Sequence, residues 1–312
     1  MLVSVIIPAA RPQWIDVAVQ SIMQQSISVH EYQIEIVVVI NTNDYETAQQ
    51  IRRKLPAECV VIEADPVGNA NQARMHGFRH SKGQVVGFLD DDDIWRSNKL
   101  ERQLRTVPAN GTLWLRTAVA ETFADQDDTQ SRRLIPYRGI GPGEDLGQYI
   151  MTRDAIRSGA KSLQTSTWLA SRLVFERYPL DESLNIHQDL DWMIRNGNMV
   201  DHYHLDEVLV DYRIHPASMS KGSRVSDSIE WVSTLDRVAS QRQKSDFLLA
   251  VTSNLAIGSG DVAGLARVIL YVRRSGLPVS APAAAVYFIR VVQILCKIAG
   301  RKLARGIGVA ND

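Results

Sequence analysis

The sequence predicts an α/β fold: a mainly parallel sheet flanked by helices, followed by a helical C-terminal region. Three observations predict it. Short β-branched runs alternate with helix-period segments over the first hundred residues, the order from which parallel sheets are built. Those runs are almost wholly apolar, as strands covered on both faces are. Beyond about Asp227 the strand signals cease and only helical spacing remains.

The elements follow in order. Residues 3–7 form a β-branched strand expected to stop at Pro8. Ile15, Ala18, Val19, Ile22 and Met23 recur at helical spacing, with Pro12 near the helix start. Residues 35–40 (EIVVVI) read as a second buried strand. Asn43 and Glu46 have the spacing of a capping box, which opens a helix through Lys54. Residues 59–63 form a third strand, 69–80 a helix closed by Gly83, and 84–89 a fourth strand that runs directly into Asp90. From residue 113 the rhythm changes. A strand is expected at 113–119, another near 165–170 and a last one at 208–212, with a helix around 189–195. Residues 125–147 are polar and rich in Gly, Pro and Arg, which predicts a functional loop or lid. The expected organisation is a domain over 1–220, divided into halves 1–105 and 106–220, and a helical extension over 221–312.

Composition narrows the function. Of 312 residues, 45% are apolar and 22% charged, which excludes disordered, collagenous and disulfide-scaffold classes. The 35 bases balance the 35 acids, so no global charge points to nucleic acid. The balance hides an asymmetry: between Asp261 and Asp312 stand eight bases and no acid. That basic tail raises the expectation of peripheral contact with an anionic membrane surface. In its last helix Ala285, Phe288, Ile289, Val292, Leu295, Cys296 and Ala299 form an apolar stripe, a pattern that suits core packing, the commoner case, or contact with a membrane surface. Cys59 and Cys296 show no metal spacing and fit a reducing compartment. The absence of a basic leader and of a roughly 20-residue apolar run fits a bacterial cytoplasmic enzyme.

Two motifs carry chemistry. Asp90, Asp91, Asp92 and Asp93 are four adjacent carboxylates at the end of a buried strand. Sites in such sheets lie outside the carboxyl ends of the strands. Carboxylates packed there call for a compensating cation, and Mg²⁺ or Mn²⁺ takes oxygen ligands and bridges to substrate phosphates. The second motif is His187-Gln188-Asp189-Leu190-Asp191-Trp192, with Arg195 one turn on. An acid here suits a general base, and equally the start of a helix. Of the tryptophans, Trp14, Trp114 and Trp231 are expected in the core, and Trp95 and Trp192 either in the core or beside a sugar. Thr165-Ser166-Thr167 is expected at a polar strand edge or, less often for such a run, lining a substrate cleft.

Taken jointly, Ile7-Pro8, the run from Gly68 to Arg74, Leu89 to Asp93, Gln188 to Arg195, and Asp211 to Ser220 (DYRIHPASMS) resemble family 2 glycosyltransferases of the GT-A type. The resemblance covers roughly residues 2–220. It implies a Rossmann-like, mixed but mainly parallel sheet and an inverting transfer from a nucleotide-diphosphate sugar donor. It implies Asp92 and His215 as metal ligands for Mn²⁺ or Mg²⁺, and Asp189 as general base with Asp191 as its competitor. Pro8, Ala10, Arg11, Asn41, Asn69, Arg74, Asp90 and Asp91 would border the nucleotide sugar. The implied acceptor is a surface glycan or a lipid-linked glycan. Ile40 stands where the family often carries an Asp that reads uracil, which leaves the base open. A non-catalytic nucleotide-sugar-binding module, a polyprenyl-phosphate sugar synthase and a sugar nucleotidyltransferase are the alternatives.

Overall fold

The computed structural model describes residues 1–28, 31–108, 112–124, 132–141, 143–156, 161–215 and 224–307. Its nucleus is three parallel pairings. Strand β1 (Leu2–Ala9) lies between β2 (Gln33–Ile40) and β4 (Val85–Phe88), and β3 (Val60–Glu63) continues outward from β2. Consecutive β-branched residues suit these positions because both faces are covered. Val3, Val5, Ile6, Ile7, Val37, Val38 and Val39 are fully buried.

Pro8 does not end β1, as the sequence suggested; it pairs with Val39 inside the strand. Its missing N–H falls where one flank is already free, since pairing with β4 ends at Ile6 and Phe88. Helix α1 (Ile15–Met23) buries Ile15, Ala18, Val19 and Ile22 of the expected stripe and leaves Met23 exposed at its end. Helix α2 (Tyr45–Lys54) starts one residue later than its Asn43 signal. Asp44 is the N-cap and accepts from the N–H of Thr47 at 2.8 Å. Helix α3 (Ala70–His80) lies close on the sheet through Gly77, where a Cβ would stand 2.5 Å from Ile6 Cγ2.

The second half of the sheet is mixed. β5 (Ile94–Trp95), β6 (Trp114–Phe123), β7 (Leu134–Ile135), β8 (Leu169–Ser171) and β9 (Asp201–Arg213) complete the order β3-β2-β1-β4-β8-β6-β9-β5, with β7 on β6. β8 is antiparallel to both neighbours, whereas β6 and β9 are parallel. β9 is far longer than the expected 208–212. Residues 165–167 are a buried 3₁₀ turn and not a strand edge. Between these strands lie α4 (Lys99–Leu104), α5 (Leu146–Met151), α6 (Arg172–Arg177) and α7 (Gln188–Asn196).

The chain divides into two compact units. One is Met1–Leu146 with Gly159–His215, and the other is Gly147–Ser158 with Pro216–Asp312. Residues 147–158 therefore depart from the expected 106–220 half. The second unit holds α8 (Val225–Ser233), α9 (Gln241–Phe247), α10 (Ser253–Ser259), α11 (Val262–Arg274) and α12 (Ala281–Ile307). Its buried Asp246 accepts from Ser280 Oγ at 2.6 Å and from the N–H of Arg153 at 3.0 Å. Among the described residues no helix is long and apolar enough to cross a membrane. The expected lid at 125–147 falls partly outside the described residues, as does the motif segment 216–220.

Candidate active site

The acidic turn stands at the carboxyl end of β4, beside the carboxyl ends of β1 and β2. Its four carboxylates have four different sets of partners. Asp90 pairs with the buried Arg74. Asp91 is buried and takes the N–H groups of Ala10 and Arg11 on Oδ2, both at 2.8 Å, and the Arg11 guanidinium on Oδ1. Burial pushes its carboxyl up to about 6, against the pull of Arg11. Asp92 Oδ2 lies 2.7 Å from His215 Nε2 and 2.9 Å from Arg11 Nη1. Asp93 is buried and accepts from Ser166 Oγ at 2.6 Å and from the N–H of Arg213 at 3.1 Å. Its burial and the neighbouring charges of Asp92 and Asp90 hold it well above the usual carboxylate range.

Arg11 is the hinge of this arrangement. Its Nε and Nη2 serve Asp91, while Nη1 reaches both Asp92 and His215 Nε2, the latter at 2.8 Å. One imidazole nitrogen cannot donate to Asp92 and accept from Arg11 at once. The protein thus already sets the Arg11 positive charge against both Asp92 and His215. Trp14, expected in the core, is only half-buried. Its ring lies 4.7 Å from that of His215 and 5.1 Å from the Arg213 guanidinium.

The second motif opens α7. His187, at φ 56°, holds the left-handed turn into the helix, a conformation uncommon outside glycine. Asp191 is buried and bound to Arg195 Nε one turn on, at 2.8 Å. Asp189 is half-buried and has neutral partners. It accepts from Ser162 Oγ at 2.8 Å and from the N–H of Leu190 at 2.9 Å. Burial raises its carboxyl above the usual range, with those hydrogen bonds pulling the other way.

Arg74 joins the motifs. One arm pairs with Asp90, and the other donates to Gln188 Oε1 at 3.3 Å and Asn71 Oδ1 at 3.1 Å. Its Nε is buried and has no hydrogen-bond partner. Tyr212 reports the same convergence. Burial and the charges of Asp93, Asp90, Asp92 and Asp189 hold its phenol far above the ordinary range.

Other expected site residues are engaged by the fold. Pro8 is buried in β1. Asn41 donates to Gly68 O at 2.9 Å and accepts from the N–H of Gly68 at 3.0 Å. Asn69 caps α3 in a capping box with Gln72 and also donates to Glu182 O at 2.8 Å. Trp95 and Trp192 are both buried. The sequence reading missed Gln188, Ser162 and Tyr212. Only the position of Gln188 and Tyr212 inside quoted motifs offered a signal for either. Among the described residues no three His, Cys, Asp or Glu side chains converge as a metal cage.

Residues 4–173, more than half of the chain, match the model of glycosyl transferase family 2. The chain belongs to glycosyltransferase family 2. The amylovoran biosynthesis glycosyltransferase AmsB of Erwinia amylovora is 25% identical over 171 residues, 54% of this chain and 55% of its own. The Escherichia coli WfgD, named a UDP-Glc:α-D-GlcNAc-diphosphoundecaprenol β-1,3-glucosyltransferase, is 26% identical over 149 residues, 45% of this chain and 57% of its own. This family 2 chain thus spans little more than half the length of the curated relatives named here. The mannosyltransferase PcManGT of Pyrobaculum calidifontis, solved with GDP-Man and Mn²⁺, has a TM-score of 0.56 at 14% identity. The match covers 95% of this chain and 86% of that one. That likeness is one of fold, the GT-A type.

Proposed function

We propose that this protein is a metal-dependent, inverting glycosyltransferase. It moves a sugar from a nucleotide-diphosphate donor to a hydroxyl of a surface glycan or lipid-linked glycan. The observation that carries the reading is Arg74, which reaches Asp90 with one arm and Gln188 with the other. A donor-side acid and the helix of an acceptor-side acid therefore share one cleft.

Asp92 Oδ2 and His215 Nε2 offer one hard oxygen and one imidazole nitrogen to a cation. Mn²⁺ or Mg²⁺ takes hard oxygen ligands and Mn²⁺ also takes imidazole, so these two residues would hold such an ion. When bound, it would neutralise charge on the departing diphosphate. Asp189 is the general base, because its carboxyl is raised, its hydrogen bonds among the described residues come from Ser162 and the N–H of Leu190, and Arg74 acts on it only through its charge. Asp191 is spoken for by Arg195. Asp189 takes the proton of the acceptor hydroxyl as that oxygen bonds to the anomeric carbon. The bond from that carbon to the diphosphate oxygen breaks on the opposite face and leaves its electron pair with the diphosphate, so the configuration inverts. Asp91 keeps Ala10 and Arg11 in place at the nucleotide, and Asn41 and Asn69 hold the loops on either side. The printed name of WfgD supports a lipid-linked acceptor.

The test is a panel of UDP-, GDP-, dTDP- and CDP-sugars, with a diphospholipid-linked sugar as acceptor, with and without Mn²⁺. The expected result is metal-dependent transfer from one donor class, lost in Asp92→Ala, with inverted configuration by NMR. Donor binding without transfer to any hydroxyl, unchanged in Asp189→Asn, would favour a binding module.

A further inference from the structure

We propose that the outer face of α12 docks on an anionic lipid bilayer, lying in the plane of its surface. The inference is independent of the transfer chemistry above. In the sequence the apolar stripe of α12 suits core packing, the commoner case, or a membrane surface. The structure turns it outward. Ala283, Val286 and Ile294 are the buried apolar positions, while Phe288 is 68% exposed, Leu295 55%, Val292 42% and Ile289 41%. The side turned to the protein thus already has its own apolar residues, and beside them Lys297 Nζ donates to Ile257 O at 3.0 Å. The outward stripe is a second apolar face, which a helix facing only water does not need. Exposed apolar side chains grouped on one helix face mark an interaction surface.

Charge selects the occupant. From residue 262 to 311 the chain has eight bases and no acid, and Arg273 and Arg274 stand exposed at the end of α11. A second copy docked on this face would set one acid-free basic segment against another. An anionic bilayer accepts both the apolar side chains and the positive field. No described helix is long and apolar enough to span the bilayer, so the contact is in-plane.

The test is co-sedimentation of the full chain with vesicles of phosphatidylcholine alone, and with one quarter phosphatidylglycerol, at low and high salt. The expected result is binding about tenfold or more stronger to the anionic vesicles, weakened by salt. Phe288→Asp with Leu295→Asp is expected to lower it about tenfold or more, with melting temperature and activity on a soluble acceptor unchanged. Arg273→Gln with Arg274→Gln lowers only the anionic preference, by a few fold. Val17→Asp, at an exposed apolar site on α1, leaves binding intact. Equal binding by wild type and the Phe288/Leu295 variant would overturn the proposal. So would a dimer in light scattering that Phe288→Asp abolishes, with no vesicle binding by wild type.

Discussion

Two acidic motifs serve this molecule, and they solve opposite problems. Asp90–Asp93 are consecutive, yet their side chains part company, each to a different partner: Arg74, the 10–11 loop, the His215–Arg11 pair, and Ser166 with Arg213. The turn is a hub that pins four distant segments and sets Asp92 against His215 and Arg11. Asp189 and Asp191 stand two apart on one helix. One is neutralised by Arg195 within the helix, and the other is left beside a hydroxyl. The difference teaches that carboxylate density does not decide chemistry. What sets each carboxylate apart is the partner it meets: Arg74 for Asp90, Arg11 for Asp91, His215 and Arg11 for Asp92, a hydroxyl and a backbone N–H for Asp93.

The sharpest way to separate the motifs is to remove the proton acceptor. Asp189→Asn should lower kcat for transfer by about 10²–10⁴-fold, the range of a lost general base, in steady-state assays. Asp191→Asn should act on stability instead. Breaking its pair with Arg195 should cost about 2–3 kcal/mol in urea unfolding. That is less than the ~3–5 kcal/mol of a fully buried pair, because Arg195 is partly exposed. If the two variants behaved alike, the division between them would fall.

On the other motif, Asp92→Ala should weaken Mn²⁺ affinity in the presence of nucleoside diphosphate by about 100-fold or more. Loss of an outer-shell partner alone costs ~10–100-fold. Arg11→Gln sharpens the same point in the opposite direction. Without donor, removing the guanidinium from Asp92 and His215 should tighten Mn²⁺ binding, read by electron paramagnetic resonance, by up to about fivefold, the worth of a partly exposed pair. The smallest effect is on pH. Asp189 must be ionised to accept a proton, so the rate should fall as pH drops through a pKa above the 3.8 of a free aspartate. Ser162→Ala removes a hydrogen bond that favours the ionised form. The acid limb should move to higher pH by about 0.5–1 pH unit.

Much of this was legible in the sequence. The β-branched runs at 3–7 and 35–40 needed no partner to be read as buried strands, and Asp90 follows its strand directly. β9 was half missed because His202, His204, Asp206 and Glu207 interrupt any apolar alternation along it. β5 and β7 are two residues each, too short for periodicity. The α2 cap slipped by one residue because Asn43 and Asp44 are both good caps and only hydrogen-bond geometry chooses between them. In the site, residue types were readable but partnerships were not. His215 meets Asp92 across 123 positions and Arg11 meets Asp91 across 80. Trp14 read as core because an aromatic near a helix start carries no mark of the histidine it will lie against. The α12 stripe stayed open between core and membrane surface because spacing gives a face and not its direction.

In the proposed function the two motifs divide donor holding from proton transfer. Calorimetric titration of UDP and GDP with Mn²⁺ into wild type, Asp92→Ala and Asp189→Asn tests it most directly. The account predicts that Asp189→Asn binds the preferred nucleotide within about threefold of wild type, while Asp92→Ala loses metal-dependent binding, each threefold step being worth under ~1 kcal/mol. Equal loss in both variants, or full retention in Asp92→Ala, would contradict it.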